Sequence, residues 1–171
     1  MRLICGVPAA NTKALLSLRS KFICRRTTYG TEADFFDGVT DVDFRTLSTI
    51  SLFTSYPESE TQNLSRENFS KKLLSLLEME RFWEAHEIME IPWRKCRDKS
   101  PIHGFIRILV SQVKWQMKQE DLYDRVFEEG VREIRNSLHL EYEDIVTGKE
   151  YPVKFSGRLL KEIISISEAN I

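Results

Sequence analysis

The stretch FWEAHEIMEIPWRK, residues 82–95, sets three glutamates and one of the chain's three histidines into a run that otherwise has the spacing of a helix core. At about 100° per residue, Phe82, His86, Met89 and Trp93 share one stripe. Glu90 lies beside that stripe and Glu87 on its rim, while Glu84 points to the far side. The expectation is a buried seam of His86, Glu90 and Arg94 or Arg97 along an aromatic face. A buried imidazole needs partners for both nitrogens, and a glutamate one turn on supplies one of them. Pro92 lacks a backbone N–H, so it is expected to kink or break this helix beside Trp93.

Helical patterning continues on both sides. Ser65 can cap a first helix with Phe69, Leu73, Leu76 and Leu77 on one face. The helix of the opening stretch covers about 81–97. Ser100 followed by Pro101 starts a third, to about 118, with a core stripe of Ile102, Ile106, Leu109, Val113 and Met117. Gly104 and Ser111 in this helix are small residues that let a neighbour approach closely. A fourth helix covers about 120–138, the segment EYEDIVTGKEYP is an irregular connection, and VKFSGRLLKEIISI is the last helix. Such short links join antiparallel neighbours.

Residues 1–56 read differently. RLICGV is a short apolar strand closed by Pro8; its apolar part is too short for a leader. Asn11 caps a helix carrying Ala14, Leu15 and Leu18, KFICRRT alternates as a strand, TYGT is a turn, and TLSTISLFTS is a further strand. The fold class is therefore α+β: a small N-terminal β-α-β(β) unit (1–56), a polar linker (57–64), and a C-terminal antiparallel bundle of four to five helices (65–171) on which the unit packs.

The chain has 171 residues, 42% of them hydrophobic, enough to fill a core. A formal charge of −1 gives no general attraction to nucleic acid or anionic membranes, and no apolar run approaches the length of a membrane span. Three cysteines without metal spacing fit a reducing interior, so the expected location is cytoplasmic. Basic residues Arg19, Lys21, Arg25 and Arg26 precede an acidic run from Glu32 to Glu60. Arg25 and Arg26 form an anion patch on one reading; on the other, the two halves neutralise each other.

With the second and third helices antiparallel, His103 faces Glu90 and Trp93, and three chemical readings stay open. His86, Glu87, Glu90 and His103 can form an acid/base site, with a hydrolase-like activity. His86, Glu90 and His103 can hold a divalent metal, although HEIME lacks the second histidine of H-E-x-x-H. The third reading is a satisfied His–Glu–Arg network that fixes helix register, with no cofactor. His139, at a helix end, complements the dipole.

RFWEAHEIMEIPWRKC followed by PIHGFIRILVSQVKWQ resembles the domain-of-unknown-function 309 family of bacteria and archaea. Phe82, Glu84, Ala85, His86, Glu87, Glu90, Trp93, Arg94 and Gly104 match its Phe/Tyr-x-Glu-Ala-His-Glu-x-x-Glu-x-x-Trp helix and the glycine of its Gln-Gly-Leu-Ile-Gln helix, over about 66–140. Pro92, His103, Arg107 and the turn in MKQED depart from the pattern. The resemblance implies a compact antiparallel helical bundle and no reaction. The function expected is that of an uncharacterised helical module, a homo-oligomer with room for a small-molecule ligand and no membrane or nucleic-acid partner.

Overall fold

A computed structural model describes residues 3–8, 22–35, 51–54, 64–148 and 150–171. The chain divides into two compact units, Met1–Gln62 and Asn63–Ile171. The first holds β1 (Leu3–Val7), β2 (Phe22–Thr27), β3 (Gly30–Phe35) and β4 (Ser51–Thr54) in an antiparallel sheet of order β2-β3-β1-β4. Strand β3 was not legible in the sequence, and it lies between β1 and β2, which therefore run parallel to each other. TYGT turns the chain into it. Gly30 at that turn has φ +146°, and a Cβ there would sit 2.2 Å from the Val7 carbonyl oxygen. The helix expected around Asn11–Leu18 and most of the linker lie outside the described residues.

The second unit is five helices: α1 (Arg66–Glu78), α2 (Phe82–Lys95), α3 (Ser100–Gln116), α4 (Glu120–Leu138) and α5 (Gly157–Glu168), with a 3-10 turn at Tyr142–Asp144. α3 is the central helix. Ile102, Phe105, Ile108 and Leu109 on it are fully buried, and α4 packs against it more extensively than any other helix does. Among the described residues no helix is long and apolar enough to cross a membrane.

Two helices end alike. At the end of α1, Arg81 N–H donates to the Leu76 carbonyl and Glu80 N–H to Leu77. At the end of α3, Gln119 N–H donates to Lys114 and Lys118 N–H to Trp115. Both are Schellman caps whose left-handed position carries a side chain, Glu80 (φ 54°) and Lys118 (φ 59°), instead of the usual glycine. Each cap reverses the chain in three residues. The Glu80 cap also fixes where the motif helix begins.

α2 does not break at Pro92. It continues to Lys95, and Cys96 N–H donates to the Pro92 carbonyl. The proline costs only the bond that Ile88 would accept, and its buried ring packs where that N–H would have been. The buried stripe of α2 is Phe82, Ala85, Ile88, Met89 and Pro92, turned about 70° from the stripe expected on Phe82, His86 and Trp93. His86 and Trp93 thus sit at the edge of the interface, and Trp83 is 38% exposed. Met117, expected in the core of α3, is its exposed cap.

Gly104 performs the close approach expected of it, against Gly130 of α4. A Cβ on Gly104 would meet Ile134 Cγ1 at 2.8 Å and the Gly130 carbonyl oxygen at 3.0 Å. One on Gly130 would meet the Gly104 carbonyl oxygen at 2.8 Å. Ser111 is buried too, but its hydroxyl is spent on the Ile108 carbonyl.

Candidate functional site

The motif residues of α2 are each engaged within the chain. Trp83 Nε1 donates to Glu87 at 2.8 Å. His86 Nε2 stands 3.3 Å from Glu90 Oε1, and Arg94 donates to the other Glu90 oxygen at 2.5 Å. The His86 and Glu90 side chains are 17% and 32% exposed, so this pair borders solvent instead of lying in a sealed seam. His86 Nδ1 and Trp93 Nε1 are buried without a hydrogen-bond partner among the described residues.

Glu84 is where the sequence reading fails most. It was expected to point away from the core; its side chain is 7% exposed and receives a two-pronged bond from Arg81. Arg81 Nε donates to Glu84 Oε2 at 3.1 Å, and Arg81 Nη2 donates to Oε1. Arg81 is the N-cap of α2, and its i,i+3 spacing from Glu84 brings the two side chains together. An acid in the first turn also suits the positive end of the helix dipole.

His103 reaches Trp93 as expected, stacking on it with ring centroids 5.8 Å apart and 21° between planes. Lys99 Nζ lies 5.0 Å from the Trp93 ring centroid. The carboxylate of His103, however, is Glu133 of α4, at 2.9 Å from Nδ1, and not Glu90. Arg107 bonds Glu129 and approaches Glu133 at 3.4 Å. The two positions that depart from the family pattern on α3 are thus both served by acids of α4, astride the Gly104–Gly130 crossing. Among the described residues no group of three His, Cys, Asp or Glu side chains could hold a metal ion.

A polar cluster that sequence reasoning missed lies under the α1–α2 turn. Gln116 Nε2 donates to the Glu80 carbonyl at 2.9 Å, and Tyr151 hydroxyl reaches Glu80 Oε2 at 3.5 Å. Gln112 accepts from Val153 N–H at 3.2 Å and donates to Ser111 Oγ at 3.2 Å. Gln112 and Gln116 fall in phase with Ile102, Phe105 and Leu109, and a glutamine at core phase was the available signal.

Tyr123 joins this cluster. Burial raises its hydroxyl pKa above the ordinary 10, against the opposing hydrogen bond from Gln112. A raised folded pKa favours the neutral phenol. Its contribution to stability is then full below the unfolded value and is lost as pH rises through the folded one. The unfolding midpoint should therefore fall above about pH 10, and Tyr123→Phe should make that fall shallower. Equal slopes in a pH series of thermal melts would contradict this.

In the first unit, Arg25 is buried and committed. Its Nη1 and Nη2 stand 3.1 Å from Glu32 and 3.1 Å from Asp34. The basic and acidic runs neutralise each other across the β2–β3 pair at this residue, and the guanidinium is not turned outward to an anion.

Comparison with known proteins places one segment. Residues 71–126 match the family model of the Domain of unknown function (DUF309). The matched segment runs from α1 into α4 and includes Arg81, Glu84, His86, Glu90, His103 and Arg107. No curated protein and no solved structure matches the chain.

Proposed function

We propose that the chain is a cytoplasmic, non-catalytic helical module whose DUF309 segment is an oligomeric binding or structural element. The observation that carries this reading is the fate of the motif carboxylates. Glu84 is taken by Arg81, Glu87 by Trp83, and Glu90 by His86 and Arg94, so each acid is spent on a neighbour in its own turn or the next. These bonds lie within α2 and at its cap, so they hold the motif helix together, and Glu84, the buried acid, is matched by a cation.

Self-association is supported by large apolar side chains left in solvent. Met79, Trp83 and Met117 are 37%, 38% and 40% exposed. The Gln116–Glu80 bond brings the ends of α1 and α3 and the start of α2 to one end of the bundle. Light scattering on the purified chain should give a multiple of 20.1 kDa, and Trp83→Asp should return it to the monomer mass. A wild-type chain that stays monomeric at every concentration contradicts the oligomer.

One observation favours the acid/base alternative. The His86–Glu90 pair borders solvent, with the imidazole Nε2 3.3 Å from a glutamate oxygen that could orient it. Hydrolysis of a nitrophenyl ester that His86→Ala abolishes without unfolding the chain would establish that reading in place of the first.

A further inference from the structure

The outer face of α4 forms a groove of about 570 Å3 with the segment that follows it, lined by Glu128, Arg132, Asn136 and His139 and floored by Val131 and Leu140. That volume falls within the range of small-molecule pockets. Its charges are arranged unusually. Arg135, also at the groove, is paired with Glu141 at 2.8 Å, and Glu141 further caps the 3-10 turn together with Asp144. Glu128 and Arg132 are four residues apart, the spacing and order that favour an ion pair on a helix, yet they form none. Among the described residues Glu128 has no cationic partner, and the side chains of Arg132, Asn136 and His139 form no hydrogen bond or ion pair.

The groove thus offers a free carboxylate at one end and a guanidinium, an amide and an imidazole in series at the other. A simple anion is poorly matched. Glu128 stands four residues from Arg132 and offsets its charge for a ligand that brings an anion alone. A ligand that brings both signs is matched.

We propose that this groove binds an amino-acid-like zwitterion. Its carboxylate is taken by Arg132, with Asn136 and His139 donating beside it. Its ammonium group is held by Glu128, and its apolar part lies over Val131 and Leu140. A guanidinium and a carboxylate select such a ligand jointly, because an amine leaves Arg132 unmatched and a carboxylic acid leaves Glu128 unmatched. The site is separate from the motif face of α2, so it stands whether or not the module reading holds.

The test is titration of the full chain with each of the twenty protein amino acids, followed through the His139 ring resonances. At least one should shift them saturably below about 50 mM, and the amine and the acid lacking one of its charges should bind at least about tenfold more weakly. Arg132→Ala and Glu128→Gln, both exposed positions, should melt as wild type and lose affinity by about tenfold or more. No saturable shift with any of the twenty overturns the proposal, as does undiminished binding by either variant.

Discussion

Glu84→Ala should cost about 3–5 kcal/mol of unfolding free energy, the loss typical when one partner of a buried ion pair is removed. The Arg81 guanidinium, in a side chain 4% exposed, would lose the carboxylate that meets two of its nitrogens. Urea unfolding measures the loss directly, as a lowered midpoint at unchanged slope. Against a usual total of roughly 5–15 kcal/mol, the bundle would be left marginal. His86→Ala should behave differently. Glu90 is 32% exposed and keeps Arg94, so the pair itself contributes only about 0–1 kcal/mol.

Gly130→Val should be the other severe substitution, costing about 2–3 kcal/mol. The new Cβ would sit 2.8 Å from the Gly104 carbonyl oxygen, and backbone cannot swing aside as a side chain can. Alanine at the same place gains up to about 1 kcal/mol of helix propensity and should still destabilise, though less. The helices would have to separate, and the bonds astride the crossing, His103–Glu133 and Arg107–Glu129, would loosen with them. Thermal melts of Gly130→Ala and Gly130→Val rank the two effects; a valine variant as stable as wild type would mean the helices are not in backbone contact there.

The bundle was legible because apolar spacing and caps are local properties. Ser65, the Ser100–Pro101 pair and the stripe of α1 needed no tertiary information, although Ser65 makes no side-chain cap bond and Lys99, not Ser100, is the N-cap of α3. The phase of α2 did need it. His86 and Trp93 look like core on a wheel, yet each has a polar end that sits well at a rim, while Ala85 and Pro92 are buried against the neighbouring helices. Glu84 was placed outward by its angle on the wheel, opposite the expected stripe; its burial rests on the pairing with Arg81, three residues before it. Strand β3 escaped notice because Glu32 and Asp34 make it polar, and their burial depends on Arg25 in another strand. His103 was rightly brought to Trp93, but its carboxylate comes from Glu133 of the next helix, and that pairing depends on how α3 and α4 cross, which apolar spacing does not give.

The central claim is that the motif's acids serve the architecture of the bundle, and a double-mutant cycle on Arg81 and Glu84 tests it most directly. With Arg81→Met and Glu84→Leu, each single variant should lose about 3 kcal/mol or more, and the double variant should lose far less than their sum, because two apolar side chains can fill the space of a buried ion pair. Strict additivity, or single variants that unfold like wild type, would contradict it.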